Sequence, residues 1–260
     1  MSFASLKLSL RAVCGGARGL LGGLLVSTLL ISGCATKQNP DPLEPWNRKV
    51  YAFNDGLDRH VMKPVAQAYQ AVTPQFFRTG VTNFFGNFKD MSATANLFLQ
   101  GRFADGTLGM MRVTMNTTLG LGGLLDVATP MRLERTNEDF GQTLGVWGVK
   151  PGAYIVWPVF GASTLRDTFS IPGDIYFSPT TLSHDAALNN SFRALSLVNV
   201  RANYLSATNL LDDVALDQYA FVRDAYLQRR QNLVYNGDPP EDEDDDSDPS
   251  ADSSSGSSEK

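Results

Sequence analysis

The chain has 260 residues, of which 43% are hydrophobic and 19% charged, and its formal net charge is −5 at pH 7. Without residues 1–34, which are basic, and residues 237–260, which are acidic, the remaining body carries about +1. A nearly neutral body lacks the basic surface that binds phosphate backbones, so no nucleic-acid partner is expected.

The N-terminus has the pattern of a bacterial lipoprotein signal. Basic residues precede an uncharged, mostly apolar run from Gly19 to Gly33, which is typical of a secretory signal peptide and short for a membrane span. The run ends in Ile31-Ser32-Gly33-Cys34, which resembles a lipobox, the motif whose cysteine is diacylated and becomes the mature N-terminus. We therefore predict a signal peptide over residues 1–33 and a lipid anchor at Cys34.

The anchor also indicates a destination. Ala35 follows the cysteine, where enteric lipoproteins retained in the inner membrane have aspartate, so the outer membrane is predicted, with the protein facing the periplasm. Several acyl chains give a stable anchor, whereas a single chain is marginal. Cys14 leaves with the signal peptide, so no disulfide is expected in the mature chain.

Helical patterns dominate the body, which we interpret as one domain over residues 34–236. In the first predicted helix, apolar residues recur at spacings of three and four and form one face: Trp46, Val50, Phe53, Leu57 and Val61. Further helices are predicted after Pro64 and after Pro74, and a break is predicted near Gly101. Asp41 is predicted to cap the first helix.

The second half of the body contains the one β-like run. It extends from Ala153 to Phe160, and Pro158 keeps it off a central strand. The acids of residues 137–139 fall where a helix would begin, and Arg166-Asp167 is interpreted as a turn. Residues 216–237 are interpreted as an amphipathic helix that ends at Gly237. The sequence therefore predicts a mainly α protein with at most one short extended segment.

Phenylalanine and glycine alternate in several short segments, for example in Phe84-Phe85-Gly86 and Leu119–Gly123. Glycine inside a helix costs about 1 kcal/mol relative to alanine, so its repeated use indicates close packing or bending. A compact water-soluble protein could bury the phenylalanines in its core. Small residues between short apolar helices favour instead a body that lies in one membrane leaflet.

The C-terminal segment 237–260 contains ten acidic residues and one lysine. It has too few apolar side chains to offset the entropy cost of ordering, so we predict that it is disordered.

The sequence offers little for catalysis. It has two histidines, His60 and His184, and neither has metal-ligand spacing to a cysteine, a glutamate or the other histidine. No nucleophile elbow or P-loop is present, and the adjacency of Ser183-His184-Asp185 does not supply triad geometry. No catalytic residue, metal or other cofactor is predicted, although an envelope phospholipid hydrolase stays open as an alternative.

Five sequence blocks occur in an order that resembles the MlaA (VacJ) family of outer-membrane lipoproteins. The resemblance covers the body from about residue 41 to 236 and excludes the acidic tail. The blocks are DPLEPWNRKVYAFND (Asp41–Asp55), NFFGNFKD (Asn83–Asp90), NTTLGLGGLLDVA (Asn116–Ala128), FGQTLGVWGV (Phe140–Val149) and LRDTFS (Leu165–Ser170).

This resemblance implies a single ring-like bundle of short amphipathic helices, embedded in the inner leaflet of the outer membrane. Its implied role is to maintain lipid asymmetry. Phospholipids that stray into the outer leaflet would pass through an amphipathic channel to a periplasmic carrier, MlaC, and then towards the inner membrane. The implied protein sits beside a trimeric osmoporin and is not an enzyme. The alternative is a structural porin-associated lipoprotein without transport of its own.

The resemblance also implies candidate site residues. Tyr51, Phe53 and Asn54 match a YxFN element of the first family helix, which we expect to help set the state of the channel. Gly141, Gly145 and Gly148 match a glycine-bearing loop and helix near the channel, where they act either as hinges or as sites of close packing. Trp46 stands where some relatives have phenylalanine, a difference of volume only.

Overall fold

The computed structural model describes residues 41–177, 184–208 and 216–240. The predicted signal peptide, the lipid anchor Cys34 and the tail beyond residue 240 lie outside the described residues. Within the described ranges the chain is mainly helical, which confirms the predicted fold class.

The secondary structure consists of eight helices in the described residues, with a π-helical segment, a 3₁₀ turn and one hairpin of two strands. In chain order these elements are α1 (Glu44–Leu57), the π-helical segment (Asp58–Met62), α2 (Lys63–Val72), α3 (Gln75–Leu99), α4 (Phe103–Thr118), the 3₁₀ turn (Thr129–Met131), α5 (Phe140–Val146), β1 (Tyr154–Trp157), β2 (Gly161–Thr164), α6 (Leu165–Tyr176), α7 (Ala186–Asn203) and α8 (Gln218–Val234).

Local signals explain several helix boundaries. Pro74 precedes α3, and the break near Gly101 separates α3 from α4, as predicted. Asp139 caps α5 by accepting a hydrogen bond from the Gln142 amide at 2.8 Å, which confirms that the acids of 137–139 mark a helix start. Pro64 does not interrupt the helical path of the backbone, because the wider turn of the π-helical segment leads directly into α2.

Asp41 does not cap α1, contrary to the prediction. The residue before the helix is Leu43, and no side chain caps the amides there. The Asp41 carboxylate instead accepts hydrogen bonds from Asn47 Nδ2 at 2.7 Å and from the Tyr219 hydroxyl. It therefore connects the start of α1 to α8, a contact across 178 residues that no local pattern indicates.

The single extended segment of the prediction is half of an antiparallel hairpin, in which Tyr154 pairs with Thr164 and Trp157 with Gly161. Pro158 lies in the turn, together with Val159 at φ 69°, and Gly161 begins β2 at φ 82°. The second strand was missed because its sequence, GAST, lacks the large β-branched and aromatic residues that signal a strand.

The packed elements form a closed circuit. The contacts lead from α1 through the π-helical segment to α2, then to α7, α3, α5 and α6, and return to α1 through β2 and β1. Two further elements lie against this circuit: α4 packs along α3, and α8 packs against α5 and β2. The β hairpin and α8 thus connect the N-terminal and C-terminal parts of the described chain.

The interior is unusually polar for a protein of this size. Among the described residues, 16 polar or charged residues are buried, compared with 13 hydrophobic ones, and 35 large hydrophobic residues are exposed. The buried apolar residues form only small clusters, one around Val50, Tyr154, Val156 and Tyr219 and another around Ala66, Ala202 and Leu205. The distribution is the reverse of the one expected for a protein surrounded by water.

The predicted apolar stripe of α1 is mostly exposed, and α8 is not the amphipathic helix that was predicted. On α1, only Val50 of the apolar stripe is buried, while Trp46 and Phe53 are more than half exposed. On α8, apolar residues occur around the whole circumference, with Tyr219 buried and Phe221 exposed, so the helix has no single apolar face. Apolar spacing identifies the interior only when the exterior is water.

Candidate functional site

Two asparagines of α1 hold the outer edge of β1. Asn47 donates to the Tyr154 carbonyl at 3.1 Å and accepts from the Val156 amide at 2.8 Å. Asn54, two helical turns later, donates to the Trp157 carbonyl at 2.9 Å and accepts from the Val159 amide at 2.8 Å. Each side chain replaces one rung of a missing neighbouring strand, so α1 and the hairpin form one rigid unit.

The other predicted residues of α1 have different surroundings. Tyr51 packs edge-to-face on Tyr219 of α8, with ring centroids 5.7 Å apart. Phe53 points outward and is 57% exposed. Within the YAFN element, Tyr51 therefore faces α8, Phe53 faces the exterior and Asn54 binds the hairpin. Asn47 belongs to the same contact and was missed by the sequence analysis.

The three candidate glycines of α5 and its C-terminal turn have two different roles. A Cβ atom at Gly141 would lie 2.5 Å from Asp167 Oδ1, and one at Gly145 would lie 2.6 Å from Arg166 Nη1. Both glycines therefore permit close packing of α5 against α6 and α8. Gly148 is different: its φ is 91°, a conformation that favours glycine, and it follows the end of the helix.

Arg230 of α8 crosses to two other helices beside these glycines. Its Nη2 donates to Asp139 at 3.0 Å and to Asp167 at 2.8 Å. The hydroxyl of Tyr226 donates to the other oxygen of Asp167 at 2.8 Å. Burial alone raises the pKa of Asp139, but the hydrogen bonds and the charge of Arg230 outweigh it, so the pKa lies below its usual value.

Arg166-Asp167 does not form the turn that we predicted. Both residues lie in the first turn of α6, where Thr164 caps the helix by accepting from the Asp167 amide at 3.2 Å, and both are buried. Asp167 is therefore an inward-facing partner of Arg230. The sequence could not reveal this pairing, since the two residues are 63 positions apart.

A cavity of about 540 Å³ opens beside this network and is lined by residues of α3, α5, α6, α7 and α8 and of the segment before α5. The lining includes apolar side chains, namely Phe85, Phe88, Phe177 and Leu233. It also includes charged side chains, namely Lys89, Asp139, Asp174, Arg229 and Arg230. The cavity therefore offers both apolar and charged contacts within one space.

A second cavity of about 570 Å³ is almost entirely apolar. It is lined by Phe98, Leu99, Phe140 and Tyr176, and it shares Phe177 with the first cavity. Phe140 lies against Gly173 of α6, where an added Cβ would be 3.0 Å from the ring. The two cavities are thus neighbours on either side of Phe177.

A second buried ion network joins α3 to α4. Arg112 is 2% exposed and donates to Asp90 at 2.9 Å, to Asp126 at 2.8 Å and to Thr129 at 3.0 Å. Gly109 allows the two helices to approach here, since a Cβ at that position would lie 2.6 Å from Thr94 Oγ1. The apolar loop of residues 119–125 leaves the end of α4 beside this network.

That loop is apolar but not buried. Leu119, Leu121, Leu124 and Leu125 are each between 44% and 69% exposed. Leu121 adopts φ 54°, and it is followed by Gly122 and Gly123 at φ 73° and 92°, so the chain turns tightly here. The segment therefore presents a cluster of leucines on a tight turn. Large exposed apolar patches mark surfaces that contact a membrane or another protein.

The two histidines are not brought into a site. His60 lies in the π-helical segment, is exposed, and its Nδ1 is 2.7 Å from the Gly56 carbonyl. His184 is exposed ahead of α7. Within the ranges 41–177, 184–208 and 216–240, no helix is long and apolar enough to cross a membrane.

Comparisons with known proteins give a consistent result. Residues 39–233 match the model of the MlaA lipoprotein family. The chain is 36% identical over 227 residues to the Intermembrane phospholipid transport system lipoprotein MlaA of Escherichia coli (strain K12), which covers 84% of this chain and 90% of that protein. The protein of the same name from Shigella flexneri is also 36% identical over 227 residues, with the same coverage of both chains.

A solved structure, described as "Structural basis for maintenance of bacterial outer membrane lipid asymmetry", has a similar fold. Its TM-score to the present structure is 0.66 at 34% sequence identity, and the match covers 75% of this chain and 98% of that one. The family match spans most of the chain, and the fold agrees with it. The chain belongs to the MlaA lipoprotein family.

Proposed function

We propose that this protein moves phospholipids out of the outer leaflet of the outer membrane and so maintains lipid asymmetry. The observation that carries the proposal is the exposed apolar surface around a polar interior, with a cavity lined by both apolar and charged side chains. The relatives named above are described as parts of an intermembrane phospholipid transport system, and the related solved structure concerns outer-membrane lipid asymmetry.

A phospholipid meets a free-energy barrier when it moves from one leaflet to the other. A phospholipid that changes leaflet must take its charged headgroup through hydrocarbon, where an unpaired polar group costs several kcal/mol. A path with polar groups on one side and apolar groups on the other lowers this barrier without catalysis. Such a path changes only the rate, so the driving force comes from another component.

The exterior supports a location within one leaflet. Exposed apolar side chains occur on most of the helices and on the loop of residues 119–125. We propose that Cys34 is acylated after removal of residues 1–33, and that the body 34–236 lies in the inner leaflet as a ring-like bundle. The closed circuit of packed elements is compatible with a ring. Residues 237–260 form the acidic tail of this proposed organisation.

The contacts of α1 and α5 suggest how the channel is controlled. We propose that Asn54, with Tyr51 and Phe53, sets the channel state by fixing the hairpin to α1. We also propose that Gly141 and Gly145 allow α5 to lie close to its neighbours, and that Gly148 allows the chain to turn after α5. The lipid would pass to a periplasmic MlaC-like carrier, beside a trimeric osmoporin. The protein would act without chemistry of its own and without a cofactor.

The test measures phospholipid exposure on the surface of intact cells with an added phospholipase. Deletion of the gene is expected to raise exposure, and wild type is expected to restore the low level. Cys34→Ala is expected not to restore it, whereas the double variant His60→Ala/His184→Ala is expected to behave like wild type.

Two results would contradict the proposal. Unchanged exposure after deletion would remove the transport function and leave a structural, porin-associated lipoprotein. Failure of the double histidine variant at normal abundance would point to a hydrolase.

A further inference from the structure

The 540 Å³ cavity is lined by two cations that have no acidic partner in the part of the chain that the structure describes. Arg230 is held by Asp139 and Asp167, and Glu138 is paired with Arg102 at 2.9 Å. Lys89 on α3 and Arg229 on α8 also line the cavity, but neither has an ion-pair partner among the described residues. Both side chains are on exposed positions, so they stand at an accessible part of the wall.

The one lining acid without a cationic partner in the described residues is Asp174. It accepts hydrogen bonds from the Phe140 amide at 3.0 Å and from the Ser170 hydroxyl at 3.4 Å. Burial raises its pKa, which reduces its tendency to carry a charge. Among the charged side chains that line the cavity, those without a partner of opposite charge in the described residues are therefore mainly positive.

We propose that Lys89 and Arg229 together bind the phosphate of a phospholipid headgroup in this cavity, with the lipid's first acyl carbons against Phe85 and Phe88. The inference rests on the proposed function and names the headgroup contacts within it. Arginine and lysine donate charge-assisted hydrogen bonds to phosphate oxygens, and such bonds are roughly twice as strong as neutral ones.

The dimensions of the cavity agree with this assignment. Its volume lies within the range of about 300–1,000 Å³ that is typical of small-ligand sites, which suits a headgroup and its glycerol rather than a whole lipid. The two cations come from different helices, so a phosphate between them would bridge α3 and α8. The rings of Phe85 and Phe88, which line the same cavity, provide apolar contacts that inorganic phosphate does not need.

The test uses the full acylated protein in lipid nanodiscs and photoactivatable lipids with identical acyl chains. The probes are phosphatidylglycerol, phosphatidylethanolamine and diacylglycerol, the last of which has no phosphate. The test variant is Lys89→Gln/Arg229→Gln. The matched control is Lys49→Gln/Lys150→Gln, which removes two exposed lysines outside the cavity lining.

In Lys89→Gln/Arg229→Gln, crosslinking to both phospholipids is expected to fall threefold or more, while crosslinking to diacylglycerol stays at the wild-type level. The control variant and the charge-keeping variant Lys89→Arg/Arg229→Lys are expected to retain at least half of the wild-type yield. Phospholipid yields equal to wild type would overturn the proposal. An equal fall for diacylglycerol would also overturn it, since the loss would then concern the fold or the acyl path.

A further arm separates the lipid headgroup from free phosphate. Sodium phosphate is compared with sodium chloride at equal ionic strength, and the two are expected to reduce lipid crosslinking equally. Specific displacement of lipid by inorganic phosphate would overturn the assignment in favour of a free-phosphate site.

The phospholipase assay in cells distinguishes the two proposals. If wild type restores asymmetry and Lys89→Gln/Arg229→Gln does so equally well, the headgroup site is refuted and the transport function stands. If wild type itself has no effect on exposure, the transport function fails, and the nanodisc result alone decides on the site.

Discussion

Arg112 is almost fully enclosed and has a partner for each side of its guanidinium group: Asp90, Asp126, Thr129 and the carbonyl of Leu133. Taking such a charge out of water is costly, and the cost is recovered only when the hydrogen bonds are complete. The network therefore specifies how α3, α4 and the following loop fit together. Its stability should also depend on pH, because the pKa of the Asp126 carboxyl is lowered in the folded protein.

At this scale we predict an acid-sensitive contribution from Asp126. Burial alone raises its pKa, but hydrogen bonds from Thr129 and Arg112 outweigh this and lower the pKa from 3.8 to about 2. Because the folded pKa is the lower one, the unfolded chain binds more protons between these values. The contribution is therefore complete above about pH 4 and lost as the pH falls towards 2, and it amounts to about 2 kcal/mol.

The measurement is chemical denaturation in mild detergent at pH 6, 4 and 3. Asp126→Asn is expected to lower the free energy of unfolding at pH 6 and to weaken its decline towards pH 3. Asp105→Asn, at a more exposed ion pair, is the control and should follow wild type. An Asp126→Asn protein with the wild-type decline would show that this carboxylate does not carry the effect.

At the scale of elements, α5 is short and is held by contacts on two sides. Gly141 and Gly145 bring its backbone to the side chains of Asp167, Arg166 and Arg230, which belong to α6 and α8. At these two positions glycine is required by the neighbouring side chains rather than by the backbone angles. Of the three candidate glycines, only Gly148 has a positive φ. The geometry thus favours close packing over a hinge at the first two positions.

We predict that Gly141→Ala destabilises the protein by about 1–3 kcal/mol, as expected for overpacking, because the new methyl would displace the ion pair of Arg230. Gly56→Ala is the control. It lies in α1, where an added Cβ would meet no described atom within 4 Å, so it should be neutral or stabilising by about 1 kcal/mol. Thermal unfolding in detergent measures both, and equal melting temperatures for the two variants would refute the packing argument.

At the scale of the molecule, polar residues are enclosed and apolar ones face outward. The exposed leucines of residues 119–125 are part of this exterior and lie on a tight turn. Fully burying one leucine contributes about 1.5–3 kcal/mol, so a few such residues can hold a surface in lipid without a membrane-spanning helix.

We therefore predict that Leu119→Ser/Leu125→Ser weakens membrane association but leaves the fold intact. Vesicle flotation of the Cys34→Ala protein, which isolates the contribution of the body, should show at least a tenfold loss of binding in this background. The control is Leu216→Ser, an exposed leucine far along the chain from the loop. Normal flotation of the double variant would exclude the loop from the membrane contact.

Helix boundaries that depend on neighbouring residues could be predicted from the sequence. Pro74, Gly101 and Asp139 act through their own backbone or the next turn, so the helix limits they indicate agree with the structure. The surroundings of the apolar residues were predicted less well, since the stripe of α1 is mostly exposed and α8 has no single apolar face. Pairs such as Asp41–Tyr219 are joined only by the folded chain, and GAST has no strand signal of its own.

The hydrogen bonds between α1 and the hairpin affect how another chain can bind to the hairpin. A strand at the edge of a sheet is a template on which another chain can add a strand, whether a partner or a second copy. Here Asn47 and Asn54 occupy the hydrogen-bonding groups along the outer edge of β1. This edge is thus closed to strand addition, and a protein that docks on this face must recognise the side chains of α1.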